Sequence, residues 1–205
     1  MSIGRAEVAE VAEMVAAPAP RDVNATIAEH LEKGQYTEAF EKSRLLAERG
    51  STTAQVFVGW MYQVGRGVKK DLEEAGRWYK NAADAGFAEG QFYLGRLHLD
   101  RGNYQEAIHW IVKAASQNHM PALFRLADLY DVGEGVHVDR EKAYQLFEQA
   151  AKMGHVFAQK EIAVKMIKGH FGIMRIPEGF HNLARALWSG CRLTWKDPYS
   201  DRLRR

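Results

Sequence analysis

Two glycine-rich stretches are the first candidates for chemistry in this sequence: VGRGV at residues 64–68 and VGEGV at residues 132–136. Glycine-rich loops bind phosphates when they follow a strand and end in a third glycine or in Gly-Lys-Ser/Thr. Neither stretch has such an ending, and the carboxylate of Glu134 would repel an anion. We therefore predict that these glycines supply the positive φ angles of a tight turn.

The histidines and the single cysteine are the other residues that could carry chemistry. The eight histidines contain no HExxH or HxxxH pair, and a metal site needs ligands that converge on one point. Cys191 lies ten residues after His181, but nothing groups them as nucleophile and base, so a structural thiol is favoured. Trp78 and Trp110 recur at one repeat position, where we expect core packing. The sequence predicts no catalytic site, metal or cofactor.

Internal repetition organises most of the chain. Similar segments, NAADAG, KAASQN and QAAKMG, end at residues 86, 118 and 154, and weaker relatives end at residues 50 and 190. The steps between these ends are 36, 32, 36 and 36 residues, which is the period of stacked helix pairs. We predict five pairs, near residues 24–50, 53–86, 88–118, 121–154 and 157–190.

Each unit is predicted to contain two helices. The first helix repeats small residues at helical spacing, and at one of the repeated positions two of them are glycines, Gly59 and Gly95. A glycine inside a helix costs about 1 kcal/mol relative to alanine, so its reuse predicts the close approach of another helix. The second helix begins at a capping residue, Asp71 with Glu74 and Asn103 with Glu106. We expect it to end at Gly86, Asn118 and Gly154.

These residues follow the pattern AxxxLGxxYxxGxGVxxDxxxAxxWxxxAAxxG, and the chain thereby resembles the Sel-one-like repeat family, a relative of the tetratricopeptide repeat. In the last unit Phe171 replaces the second loop glycine, and Asn182 stands where Trp78 stands earlier. The resemblance implies an all-α fold, an α/α solenoid of about five helix-turn-helix repeats, and a role as adaptor or scaffold. It is close in residues 54–86 and 122–154, partial in 90–118 and eroded in 158–190.

Length and charge limit the other function classes. The 205 residues include 28 basic and 26 acidic side chains, a net charge of +2, so no nucleic acid partner is expected. The length suits one elongated repeat domain. We expect a flexible or weakly helical segment over residues 1–22, the repeat solenoid over 23–190, and a C-terminal cap or basic tail over 191–205.

The cysteine count and the N-terminus bear on localisation. One cysteine excludes an intramolecular disulfide framework and favours a reducing compartment. Glu7, Glu10 and Glu13 interrupt the apolar positions of the N-terminus, and nowhere do 18 apolar residues run together. We therefore expect a cytoplasmic protein without a transmembrane segment.

The resemblance also suggests where a protein or peptide partner binds. In tetratricopeptide-like stacks the first helices line a concave face, and ligand positions lie at −3, +1 and +4 from the repeated small residue. Aromatic side chains there would form an anchor pocket. Two alternatives stay open: Phe92 and Phe124 complete the core, or Arg96 and Asp128 form an intramolecular pair. The candidate partner-binding residues are Val56, Trp60, Gln63, Phe92, Arg96, Leu99, Phe124, Asp128 and Asp131.

The C-terminal segment supports an alternative function. Residues 191–205 contain five basic and two acidic side chains, with Trp195 and Tyr199 among them. Such a tail suits a peripheral anchor that binds anionic lipid or a polyanion. It equally suits a cap that covers the last repeat.

Overall fold

The computed structural model describes residues 25–167 together with residues 181, 182 and 184. Across these residues the chain is helical without any strand, which confirms the all-α helix-turn-helix fold class. Residues 1–22 and 191–205 lie outside the described residues, as do Cys191 and most of the second helix of the last predicted pair. The helices are α1 (Ala25–Glu32), α2 (Tyr36–Glu48), α3 (Thr52–Val64), α4 (Leu72–Asp84), α5 (Ala88–Asp100), α6 (Tyr104–Ser116), α7 (Met120–Val132), α8 (Arg140–Lys152) and α9 (Val156–Ile167).

The chain divides into two compact units, residues 1–90 and residues 91–205. In the first unit, helices α1 to α4 bury a continuous apolar cluster that includes Ile27, Phe40, Phe57, Val58 and Met61. In the second unit, the fully or nearly fully buried side chains are again apolar and lie on successive helices. They include Leu94, Ile111, Leu126, Phe147 and Ile162. Each helix therefore buries one stripe on its neighbours, as expected for repeats that cannot form a core alone.

The glycines inside the first helices lie where another helix comes close. A Cβ atom at Gly59 would stand 2.7 Å from the ring of Tyr79 and 3.2 Å from the carbonyl oxygen of Ala75, both on α4. At Gly95 it would stand 2.7 Å from Cγ1 of Ile111 on α6. The predicted close approach is confirmed at both positions, because even one methyl group would crowd these neighbours.

The capping prediction holds for the Asp71 side chain and is wrong for Asn103. The N–H of Asp71 donates to the carbonyl oxygen of Tyr62 and not to Glu74, so the reciprocal bond is not made. The Asp71 carboxylate accepts hydrogen bonds from the backbone N–H groups of Glu73 and Glu74, at 2.9 and 3.0 Å. Asn103 makes no side-chain capping bond, because its ψ of 67° departs from the extended backbone of Asp71, whose ψ is 105°. Gln35, which precedes α2, has nearly the same φ and ψ as Asn103 and is likewise uncapped. The two short loops therefore share one backbone geometry, and it differs from that of the longer loop before Asp71.

The second helices place a different residue in the core from the one expected. Trp78 and Trp110 are only half-buried, whereas the residues that follow them, Tyr79 and Ile111, are fully buried at 0% exposure. Successive helical residues point about 100° apart, so the two residues of each pair cannot both point straight into the core. Trp78 still packs against the core cluster of the first unit, so its predicted packing role is confirmed, but the fully buried positions belong to Tyr79 and Ile111 and not to Trp78 and Trp110.

Candidate functional site

The apolar positions of the expected binding face lie mostly inside the core. Val56 and Phe92 are 2% and 8% exposed, so neither offers appreciable surface to a partner. Phe124 is half-buried and stacks on His155, with ring centroids 4.5 Å apart and an interplanar angle of 19°. It also packs against Phe147 at 5.5 Å. These contacts favour the alternative in which Phe92 and Phe124 complete the core.

Trp60 is half-buried on α3 of the first unit. Its ring stacks on Phe57, with centroids 5.7 Å apart and an interplanar angle of 25°, and it packs against the core cluster of the first unit. The indole Nε1 is buried without a hydrogen-bond partner. An unsatisfied buried donor is costly, so Trp60 combines core packing with an unmet hydrogen-bonding capacity.

The polar candidates each have a partner within their own unit. Gln63 accepts a 2.7 Å hydrogen bond from the hydroxyl of Tyr79. Asp128 forms an ion pair with Arg125 at 2.6 Å, and Asp131 forms one with Lys165 at 2.6 Å. Lys165 is 12% exposed in its side chain and Asp131 is 25% exposed. The second of these pairs is therefore shielded from water and lies between α7 and α9.

Arg96 and Leu99 remain half-buried on α5. The Arg96 guanidinium carbon lies 5.8 Å from the centroid of the Phe92 ring, so its charged group lies over a buried aromatic residue. Among the candidate positions, those that remain partly exposed are the ones at +1 and +4 from the repeated small residue of each first helix. They hold Trp60, Gln63, Arg96, Leu99, Asp128 and Asp131.

The GxG stretches are turns that also contact the preceding helix pair. Gly65 and Gly67 have φ of 74° and 75°, which confirms the predicted turn. A Cβ atom at Gly67 would overlap the backbone carbonyl of Tyr36, the first residue of α2. Arg66, between these glycines, has its guanidinium carbon 4.7 Å from the centroid of the Tyr36 ring. Tyr36 and Arg66 lie 30 positions apart, and no sequence pattern pairs them.

Two histidines, the half-buried His119 and the buried His155, recur at one position, directly before the first helix of a pair. Burial lowers the pKa of His119 and of His155 to about 4 in each case, because the charged imidazolium loses its hydration. His155 Nδ1 accepts a 3.2 Å hydrogen bond from the N–H of Ala158 and so caps α9. His119 packs against Phe92 at 5.1 Å between centroids. His119 makes no such capping bond, so the 36-residue spacing of the two histidines signals a shared position and not a shared role.

The described residues contain no group of three or more His, Cys, Asp or Glu side chains with the arrangement of a metal site. Within the same part of the chain, no helix has both the length and the apolar character needed to cross a membrane.

Comparison with known proteins identifies the repeats. A family model described as Sel1 repeat matches residues 52–87, 88–119 and 121–155, which together make up half of the chain. The chain belongs to the Sel1 repeat family. The matched segments coincide with the helix pairs α3–α4, α5–α6 and α7–α8. Sel1 repeat proteins generally mediate protein–protein interactions, and their fold is typically a non-catalytic scaffold.

Solved structures of Sel1 repeat proteins share the fold. A Sel1 repeat protein from Oxalobacter formigenes has a TM-score of 0.68 and 27% sequence identity, covering 78% of this chain and 70% of that chain. The antigen c5321 of uropathogenic Escherichia coli, which displays an SLR fold, has a TM-score of 0.62 and 27% identity, covering 80% of this chain and 38% of that one.

The curated relatives are longer than this chain. The "DAP3-binding cell death enhancer 1" of Mus musculus is 28% identical over 177 aligned residues, covering 65% of this chain and 34% of the relative. The "Exopolysaccharide production negative regulator" of Rhizobium leguminosarum bv. viciae is 31% identical over 141 residues, covering 60% and 52%. This Sel1 repeat chain thus spans about a third of the mouse relative and about half of the bacterial one.

Proposed function

We propose that this Sel1 repeat protein is a cytoplasmic, non-enzymatic adaptor that binds a segment of another protein on the face formed by the first helices of its repeats. One observation carries the proposal. Within helices whose packing positions repeat small and apolar residues, the accessible +1 position changes from Trp60 to Arg96 to Asp128. Packing needs no such variation, whereas a different group in each repeat lets a binding face distinguish one partner segment from another.

The names of the relatives and the composition support this function. One relative is named for binding DAP3 and another for negative regulation of exopolysaccharide production, and both descriptions fit proteins that act through partners. The single cysteine fits a reducing compartment. A peripheral anchor through residues 191–205 stays an alternative prediction for that segment.

Trp60 and Trp78 provide a matched pair for testing the binding face. Both are half-buried and pack against the same core cluster, but Trp60 lies on a first helix and Trp78 on a second helix. The test begins with a partner captured from native cells and prepared as a recombinant protein. Its affinity is then measured for the parent, Trp60→Ala and Trp78→Ala at a temperature where all three are folded.

We expect Trp60→Ala to lower the affinity about thirtyfold, because truncation of a central aromatic contact costs about 2 kcal/mol or more. Trp78→Ala should retain the parent affinity. A second pair of variants should behave in the same way. Leu99→Asp, on a first helix, should lower the affinity, and Leu45→Asp, on a second helix, should retain it. If the second-helix variants lose binding and the first-helix variants keep it, the proposed face is wrong.

A further inference from the structure

Arg66 projects from the first GxG loop beside two aromatic rings. Its guanidinium carbon lies 4.7 Å from the ring centroid of Tyr36 and 6.0 Å from that of Trp60. Arg66 is exposed, and within the described residues it has no ion pair with a carboxylate. Contacts of this kind orient a planar guanidinium and leave its N–H donors available for a ligand. The arginine is therefore positioned without being neutralised.

Two further cations follow in the same loop. Lys69 and Lys70 are exposed and, in the part of the chain that the structure describes, have no carboxylate partner. The loop of the second unit has Glu134 where the first has Arg66, and Val138 where the first has Lys70. Glu134 lies 3.8 Å from Arg125. Both loops make the same left-handed turn, so the positive charge of the first loop is not a requirement of the fold.

The positive charge adjoins an apolar surface. Trp60 is half-buried beside Arg66, and its indole Nε1 lacks a hydrogen-bond partner. We infer that this cluster, defined as Tyr36, Trp60, Arg66, Lys69 and Lys70, binds an acidic segment of the partner protein. A partner carboxylate pairs with the Arg66 guanidinium while a neighbouring apolar side chain packs on Trp60. This inference rests on the proposed function and specifies the chemistry of the bound segment.

An acidic peptide fits the cluster better than a nucleic acid does. The residues after Lys70 include three acids, Asp71, Glu73 and Glu74, which would repel a continuous phosphate backbone. The whole chain has a net charge of only +2. A peptide can place one or two carboxylates at Arg66 and neutral residues near these acids. Bidentate pairing of arginine with a carboxylate adds geometric selectivity to the charge attraction.

The test uses the full chain and a randomised library of peptides of about 12 residues, displayed on phage. Selected peptides are synthesised with a fluorescent label, and each is also made with Asp and Glu replaced by Asn and Gln. Anisotropy then gives the affinities of the parent, Arg66→Gln and Arg66→Glu. Glu134 shows that this turn accommodates a glutamate, so Arg66→Glu should fold. Glu134→Gln changes the charge by one at the corresponding position of the second loop and is the matched control.

We expect acidic residues next to an apolar residue in the selected peptides, and about tenfold weaker binding of their amide versions, as for loss of a charge-assisted contact. Arg66→Gln should remove this preference, Arg66→Glu should weaken acidic peptides further, and Glu134→Gln should leave both affinities unchanged. Selection of peptides without acidic residues, or equal binding by Arg66→Glu, overturns the inference while leaving the adaptor function in place.

Two other outcomes separate the remaining possibilities. If no peptide is selected at all, the proposed adaptor function fails, and the inference fails with it. If a poly-uridine oligonucleotide binds more tightly than any acidic peptide, and Trp60→Ala does not change its affinity, the cluster is a polyanion site. That result overturns recognition of a peptide.

Discussion

Gly135 lies directly against Tyr104: a Cβ atom placed on Gly135 would stand 2.5 Å from the Cβ of Tyr104 and 3.0 Å from its Cγ. Gly67 lies against Tyr36 in the first unit, where the nearest atoms are those of the Tyr36 backbone carbonyl. In both units the tyrosine begins the helix that follows a short loop, and the glycine belongs to the long loop of the next pair. The second glycine of each GxG stretch therefore serves the turn and the contact with the preceding helix pair together.

Replacing Gly135 by alanine should destabilise the protein by more than the cost of placing alanine at a positive φ. The φ of 70° at Gly135 imposes about 1–2 kcal/mol on any side chain with a Cβ, and crowding against Tyr104 should add about 1–3 kcal/mol. Gly102 is the matched control, because its φ is 74° and an added methyl group there would meet no neighbouring atom within 4 Å. Urea unfolding of both alanine variants separates the two costs, and equal losses would contradict the contact.

Gly59 should tolerate alanine far better than leucine. Alanine occupies the corresponding repeat position at Ala127 and Ala163, whereas a leucine at Gly59 would drive into Tyr79 and the backbone of Ala75. We expect Gly59→Leu to cost about 3 kcal/mol or more, above ordinary overpacking. Thermal melts provide the measurement. A Gly59→Leu variant that melts like the parent would show that the helices do not approach closely.

Tyr79 should matter more to stability than the tryptophan beside it. Tyr79→Ala empties a fully buried site and should cost about 3–5 kcal/mol. Trp78→Ala should cost less, because Trp78 is half-buried. Tyr79→Phe keeps the ring but loses the hydrogen bond to Gln63, for a loss of about 1 kcal/mol. Chemical denaturation of the three variants should give this order. A larger loss for Trp78→Ala than for Tyr79→Ala would show that Trp78 contributes more to the core than Tyr79 does.

The Asp131–Lys165 pair should behave as a shielded ion pair. Asp131→Asn leaves the largely buried Lys165 ammonium without its carboxylate, and we expect a loss of about 1.5–3 kcal/mol. Adding Lys165→Met to Asp131→Asn replaces the unpaired ammonium by an apolar side chain, so the double variant should recover part of that loss. A double-mutant cycle gives the coupling energy directly. Coupling below about 0.5 kcal/mol would place the pair among ordinary surface pairs.

His155 should make the protein less stable in acid. Its pKa falls to about 4 in the folded chain, below the unfolded value of about 6.5, so folding favours the neutral ring. The stabilisation that comes from this lowered pKa is fully present above a pH of about 6.5, and it is lost as the pH falls from there towards about 4.

His155→Ser is designed to remove this titration while keeping the helix cap. Ser51 occupies the corresponding position of an earlier pair and accepts a hydrogen bond from the N–H of Ala54, as His155 does from Ala158. The free energy of unfolding, measured from about pH 7 down to about pH 4.5, should fall less steeply in this variant than in the parent. Parallel curves for the two proteins would exclude His155 as the source of the acid sensitivity.

Over residues 25–155, which the structure describes, the sequence by itself determined the helix pairs and the turns, and it placed the helix ends to within a few residues. These features are local: the 36-residue and 32-residue steps set the pairs, and residues such as Gly86 and Asn118 end helices through left-handed backbone that few residues adopt. These helix ends and the cap at Asp71 were predictable because each depends on a few neighbouring residues. The Asn103 cap was not, since its failure depends on the ψ angle of a short loop that the residue type does not specify.

Only the tertiary structure decided which side chains face another helix and which remain accessible. Trp78 and Tyr79 are adjacent aromatic residues, and the composition of the helix does not say which one the neighbouring helix covers. The pairing of Asp131 with Lys165 joins residues 34 positions apart, and the Tyr36 ring meets Arg66 across 30 positions. Such contacts depend on how whole helices pack, and a repeat pattern defines that packing only for the positions that it repeats.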